Sequence, residues 1–169
     1  MGESFTTIIV IFLAAGLLFI FPMSAISQLN DKEVLTVVQS YTTEYGNKIA
    51  TTGRITQSDY YEFIQKLNAT GNSYDIELEL HIADSNPSKK TENQQVGDTM
   101  YYILYHPQVM EKLNNGILLK EGDYIVVYVK NNNTTIAQMF MGLFYGLSGD
   151  ESYSIFTQYS GPVLVTAAQ

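Results

Sequence analysis

The sequence predicts an α+β protein in which a long, membrane-spanning N-terminal helix continues into a small head with an antiparallel-rich sheet. Three features of the 169-residue chain predict this class. Residues 5–26 form an apolar run without a charged side chain, the next apolar residues recur every three or four positions, and two later segments alternate apolar and polar side chains. We therefore expect a helical anchor over residues 1–52 and a head domain over residues 53–169.

The apolar run has the length and composition of a transmembrane helix. It contains no charged side chain, and a bilayer core about 30 Å thick needs roughly 20 helical residues. Its Phe, Ile, Leu and Val residues favour the bilayer by about 4 to 8 kcal/mol before the cost of the polar residues. A cleaved signal peptide is the alternative, because the segment 25–27 (Ala-Ile-Ser) resembles a cleavage site. The length of the run and the missing basic flank favour a retained anchor.

Composition indicates on which side of the membrane the head lies. Lys32 is the only basic residue close to the apolar run, and Asp31 and Glu33 flank it. The distribution of Lys and Arg therefore does not determine the orientation of the helix in the membrane. The chain has a net charge of −8 and no cysteine. This mixture favours an extracytoplasmic head at the cell membrane that needs no disulfides, and it argues against nucleic acid as a partner.

Beyond the apolar run the pattern becomes that of an amphipathic helix. We expect one helix from about Phe5 to about Ala50, bent near residues 18–22 by Pro22 and closed by residues 51–53. Its apolar face is formed by residues four, three, four and four positions apart: Val34, Val38, Tyr41, Tyr45 and Ile49.

The head is predicted to contain about four strands and three short helices. The first of these helices begins at Thr56 or Ser58 and ends at Gly71. The polar segment 84–98 is expected to be a loop, either a mobile connection or a recognition loop, with the mobile connection favoured. Strands are predicted within residues 73–82, 99–106, 122–131 and 152–168, the last as two short strands around Gly161 and Pro162. The other two helices are predicted within residues 107–116 and 134–147.

The last of these helices carries an uncharged Met and Phe stripe. Thr134 or Thr135 is expected to cap it, and its apolar part is too short for a second membrane span. Such a stripe is usually part of a protein core, so we expect burial of the following side chains: Ile136, Met139, Phe140, Leu143 and Phe144.

Few side chains suit catalysis or metal binding. The chain has no Cys or Trp and two histidines, His81 and His106. Glu77, Glu79 and His81 would project from one side of a strand and could hold a metal, but any half-exposed strand generates such a row. We therefore expect a solvated strand face and no enzyme, metal, cofactor or small-molecule substrate.

The overall plan resembles type IV pilins and pseudopilins, in which an apolar N-terminal helix continues, amphipathic, into an α+β head. The segment 53–71 (GRITQSDYYEFIQKLNATG) followed by the strand 74–82 (YDIELELHI) is similar to small TadE-type minor pilin-like proteins of Gram-positive bacteria. The resemblance implies a non-enzymatic subunit of a surface appendage or secretion apparatus, whose partners are the lipid bilayer and other pilin-like subunits.

In that family the N-terminal helices pack side by side, an acidic residue near the helix start offsets the neighbour's terminal amine, and a proline bends the apolar half. Glu3 and Pro22 stand at those places. Small side chains allow helices to approach closely in lipid. The residues expected to carry assembly are Glu3, Phe5, Ala14, Ala15, Gly16 and Pro22. Two alternatives remain open: a single-pass extracytoplasmic binding module that does not polymerise, and an anchored enzyme.

Overall fold

The computed structural model describes residues 2–83, 101–145 and 155–168. It confirms the α+β class, because a long apolar N-terminal helix is followed by a small head with antiparallel sheets and short helices. The predicted loop 84–98 lies outside the described residues. The chain divides into two compact units, Met1–Val34 with Thr134–Ile155, and Leu35–Asn133 with Phe156–Gln169.

The first helix, α1, runs without a break from Gly2 to Thr52 and contains Pro22. The predicted continuous helix is confirmed. It ends where Gly53 takes a left-handed conformation (φ 65°) that a side chain would strain. The Gly53 N–H donates to the Ile49 carbonyl over 2.8 Å, which satisfies one of the last helix carbonyls.

The remaining elements are short. The helix α2 is capped by the Thr56 hydroxyl, which accepts from the Asp59 N–H, as one of the two predicted caps requires. In chain order the elements after α1 are β1 (Arg54–Ile55), α2 (Gln57–Asn68), β2 (Tyr74–Ala83), β3 (Tyr101–Leu104), α3 (His106–Leu113), β4 (Ile117–Leu118), β5 (Tyr124–Asn131), α4 (Ile136–Tyr145) and β6 (Phe156–Pro162).

The second unit contains a four-stranded sheet in the order β3-β2-β5-β6, in which every neighbouring pair is antiparallel. The strands β1 and β4 pair separately as a two-residue antiparallel ladder. The alternation predicted for β2 is confirmed, since Leu78 and Leu80 are fully buried while Glu77 is exposed. Leu78 lies directly opposite Val127 of β5, so these residues share the dry face.

The C-terminal part of α1 belongs to the core of the second unit. Its residues Val38, Tyr45 and Ile49 are buried, as the predicted face requires. The ring of Tyr45 stacks on that of Phe63 in α2, with centroids 4.4 Å apart. The head therefore includes residues 35–52 of α1, which bury one face in its core and expose the other.

The C-terminal prediction of two strands around Gly161 and Pro162 is wrong for the described residues. A single strand, β6, passes through Gly161 and ends at Pro162. The residues after it are held by separate hydrogen bonds instead of a ladder: the Val163 N–H donates to the Asp123 carbonyl over 2.7 Å and the Leu164 N–H to the Ala50 carbonyl over 2.8 Å.

Candidate functional site

The N-terminal part of α1 exposes apolar side chains in every direction. No charged residue lies between Ser4 and Asn30. Ile8, Val10 and Ile11 are 55%, 58% and 61% exposed, and each successive residue turns the side chain by about 100° around the helix. The exposed large apolar residues of this part are Phe5, Ile8, Ile9, Val10, Ile11, Phe12, Leu13, Leu17, Leu18, Phe19, Phe21, Met23, Ile26 and Leu29.

This part of α1 is long and apolar enough to cross a membrane, judged by length and composition. Within the residues that the structure describes, none of its most apolar 18-residue window is buried. A helix that packs on the core of a soluble protein buries at least one apolar stripe. Extended apolar surface of this size marks a membrane or protein contact.

The six residues predicted to carry assembly all belong to α1: Glu3, Phe5, Ala14, Ala15, Gly16 and Pro22. Phe5 and Pro22 are exposed, and so are the alanines. Among the described residues, a Cβ added at Gly16 would meet no atom within 4 Å. The side chain of Glu3 lies outside what the structure describes. The side chains of residues 14–16 point in three directions about 100° apart. They therefore make one turn of the helix thin on all sides and do not form a stripe along one face.

Where the apolar part of α1 ends, α4 packs against it. The Thr135 hydroxyl donates to Asp31 Oδ2 over 2.6 Å and accepts from the Gln138 N–H over 3.2 Å. The Gln138 side chain accepts from the Thr135 N–H over 2.8 Å. This reciprocal pair is a capping box. A second contact lies later in α4 and earlier in α1, where Gln28 Nε2 is 3.8 Å from the Met141 sulfur.

The expectation that the Met and Phe stripe of α4 is core is wrong for its first residues. Ile136 and Met139 are 64% and 61% exposed, whereas Ala137 and Gln138 are buried. Helical spacing identified the apolar face correctly, but α1 packs against the opposite side of the helix. The side chains of residues 143–144 lie outside the described part of the chain.

The head contains a cleft of about 530 Å³ between the ends of β2 and β3 and the segment around β4. Its charged residues are Lys112, Lys120 and Asp123. Asp123 is buried, and its two carboxylate oxygens accept from the Ala83 N–H (2.9 Å) and the Lys120 N–H (2.7 Å). The carboxylate therefore stabilises the turn that precedes β5.

The expected solvated strand face is only partly present, because His81 is mostly covered and its buried Nε2 atom has no hydrogen-bond partner within the described residues. His81 Nε2 lies 3.7 Å from Glu79 Oε2, and the rings of Tyr101 and Tyr124 flank the imidazole. Burial lowers the pKa of His106, whose Nδ1 accepts from the Leu78 N–H over 3.2 Å. Within residues 2–83, 101–145 and 155–168, no group of three or more His, Cys, Asp or Glu residues could hold a metal ion.

Sequence reasoning missed the contact between α1 and α4. Its local signal is the Thr-x-x-Gln pattern at residues 135–138, which predicts a helix start but not the partner, Asp31. Comparisons with protein-family profiles, with curated proteins and with solved structures find no match for this chain.

Proposed function

We propose that this chain is a membrane-anchored, pilin-like structural subunit of a surface appendage or secretion apparatus. It assembles with other pilin-like subunits through α1, holds its head outside the cell membrane and catalyses no reaction. The observation that carries the proposal is the double character of α1, which is exposed and apolar at its N-terminal end and buries one face in the head core at its C-terminal end.

The exposed end of α1 needs a cover. Residues 4–29 present apolar side chains around the whole circumference, and such a surface is stable in lipid or against other helices. Val38, Tyr45 and Ile49 of the same helix are fixed in the head core. One continuous helix therefore joins the exposed apolar end to the head.

Small side chains provide the place where neighbouring helices can approach. Ala14, Ala15 and Gly16 follow one another near the middle of the apolar part. Small side chains let two helix backbones approach closely, and the resulting van der Waals packing helps helices to associate in lipid. Gly16 is suited to test this contact, because a Cβ added there meets no atom within 4 Å in the described part of the chain.

The test is replacement of Gly16 by Leu, with Gly16→Ala as the matched control. Two differently tagged copies are produced together, and their association is measured by co-purification from solubilised membranes. We expect Gly16→Leu to abolish association and Gly16→Ala to retain it, with the head equally folded in both. Undiminished association of the Gly16→Leu variant would overturn assembly at this place.

A second test addresses the acidic residue. Glu3→Ala and Glu3→Lys should abolish filaments seen by electron microscopy of producing cells, because a buried carboxylate in lipid needs a cationic partner. The matched control is Glu33→Ala, which removes an exposed carboxylate from the same helix beyond its apolar part. Equal filament yield from all these variants would argue against the pilin-like role.

Retention of the anchor is tested by the mass of the mature chain. A signal peptide can have the same length and composition as this apolar segment. We expect the membrane fraction to hold a chain that still contains residues 4–29. A freely dissolved chain that begins near Gln28 would exclude an anchored subunit.

The second candidate is a single-pass extracytoplasmic binding module, which the cleft and the exposed tyrosines of the head favour. Tyr102 lines the cleft and is 53% exposed, and Tyr105 is 55% exposed; aromatic side chains of this kind are enriched in binding surfaces. Exchange of residues 1–30 for an unrelated membrane helix separates the two. A binding module keeps its function after the exchange, whereas a pilin-like subunit loses assembly.

A further inference from the structure

We infer that α4 is a second membrane contact, which lies in the boundary between lipid headgroups and acyl chains beside the end of the α1 anchor. The inference rests on the proposed membrane anchoring by α1. The helix α4 is too short to span a bilayer, because its ten residues extend only about 15 Å. The role assigned to it is therefore contact with the membrane surface.

The contacts between the two helices give the direction of α4. Its first end is fixed at Asp31 by Thr135, and a later turn lies at Gln28 through Met141. Residue numbers therefore rise along α4 while they fall along α1. The helix α4 begins just beyond the apolar part of α1 and is directed toward it.

The side of α4 that faces away from α1 is apolar. Ile136 and Met139 lie three positions apart, hence on one face, and are 64% and 61% exposed. The whole segment 134–147 contains no charged residue. Water is an unfavourable neighbour for such a surface, since each exposed apolar side chain loses the gain that burial would bring.

Lipid is the cover that the surroundings favour. On α1, the exposed residues Ile26 and Leu29 lie at the level where α4 is attached, so the exposed face of α4 extends an apolar surface that is already assigned to the membrane. Protein-binding patches are usually rimmed by polar residues. An uncharged helix beside a membrane anchor has the character of an interfacial helix.

The chain contains no tryptophan, so a single introduced Trp reports its own surroundings. Met139→Trp is placed in the full chain, which is reconstituted in phosphatidylcholine vesicles whose acyl chains carry bromine near the headgroups. Leu18→Trp, in the exposed apolar part of α1, is the positive control. Tyr61→Trp replaces a 54% exposed aromatic residue of the head and is the negative control.

We expect the lipid bromines to quench Met139→Trp nearly as strongly as Leu18→Trp and to leave Tyr61→Trp unquenched. Quenching of Leu18→Trp alone would overturn the inference and leave the anchor intact, whereas quenching of neither would overturn both. Emission from Met139→Trp that shifts with protein-to-lipid ratio but is not quenched would identify a second copy of the chain as the cover and overturn the lipid contact. Ile136→Trp provides the same test if the Met139 variant does not fold.

Discussion

The ring of Tyr159 in β6 lies directly on Gly46 of α1, so close that a Cβ added to this glycine would overlap three ring carbons. The Tyr159 hydroxyl donates to the Asn47 side chain over 3.1 Å. This contact fixes how the buried part of α1 lies on the sheet, since Tyr159 pairs with Val127 in the adjacent central strand.

We expect Gly46→Ala to destabilise the head by about 1 to 3 kcal/mol, because an extra methyl group in a packed contact forces the ring or the backbone to move. Thermal or chemical unfolding followed by circular dichroism measures the change. Gly16→Ala adds the same group to the same helix in open space and should leave head stability unaltered. Equal stability of both variants would show that Tyr159 yields without cost.

Tyr45 is stacked on Phe63, but its buried hydroxyl has no hydrogen-bond partner in the described part of the chain. Burial raises the pKa of this hydroxyl, so it stays neutral over the ordinary pH range. We expect Tyr45→Phe to stabilise the head by about 1 kcal/mol, since it removes an unsatisfied polar group, and Tyr45→Ala to destabilise it by about 3 to 5 kcal/mol.

Unfolding free energies of these variants provide the measurement. Tyr61→Phe is the control, because Tyr61 is exposed and should contribute little. A loss of stability in Tyr45→Phe comparable to that in Tyr45→Ala would mean that the hydroxyl is bound in solution.

The pairing of α1 with α2 should weaken in acid. Although burial alone would raise the pKa of Asp59, hydrogen bonds from Lys48 (2.7 Å) and from Thr56 lower it below its ordinary value near 4. A lowered carboxyl pKa contributes stability that is present above the unfolded-state pKa and is lost as pH falls through the folded-state pKa. The head should therefore lose stability below about pH 4.

A double-mutant cycle with Asp59→Asn and Lys48→Met checks this origin. Lys48 is half-exposed, so we expect a coupling below about 1 kcal/mol at neutral pH, and a smaller acid-dependent loss in either single variant. An unchanged acid limb in both variants would assign the loss to other carboxylates.

The attachment of α4 should depend on two interactions of the Thr135 hydroxyl, its hydrogen bond to Asp31 and its capping of the helix. Asp31→Ala removes the partner of its hydroxyl, whereas Thr135→Val removes both that bond and the helix cap. Loss of a cap costs about 1 kcal/mol, which corresponds to a roughly fivefold shift in local equilibrium. Hydrogen exchange of the α4 amides should therefore quicken in Asp31→Ala, quicken more in Thr135→Val, and stay unchanged in Thr135→Ser. Equal exchange in all variants would contradict a role for this contact.

Local patterns predicted much of the fold because they follow directly from physical periods. The apolar run and the three- and four-residue spacing of apolar residues, including positions 38, 45 and 49, predicted α1. The alternation through Leu78 and Leu80 predicted β2. The two-residue ladder of β1 and β4 has no period to detect. The contact between Thr135 and Asp31 joins residues 104 positions apart, and no local pattern specifies such a partner.

The candidate site shows the same division. Composition identifies residues 5–26, and the structure adds that no residue of the most apolar 18-residue window is buried within the described residues. For α4, spacing predicted an apolar face but could not determine what lies against it. Burial follows from tertiary packing, and here the side with Ala137 and Gln138 packs inward although the stripe with Ile136 and Met139 is more apolar.

Residues 35–52 of α1 bury one face in the head core, which has a consequence for release of the head from the cell surface. A protease that cuts α1 ahead of Leu35 would separate the anchor from a head that keeps Val38, Tyr45 and Ile49 in its core and α4 as its remaining membrane contact. A cut within residues 35–52 would instead remove core residues of the head and expose the sheet to degradation. The released form of the head is therefore expected to start with helix.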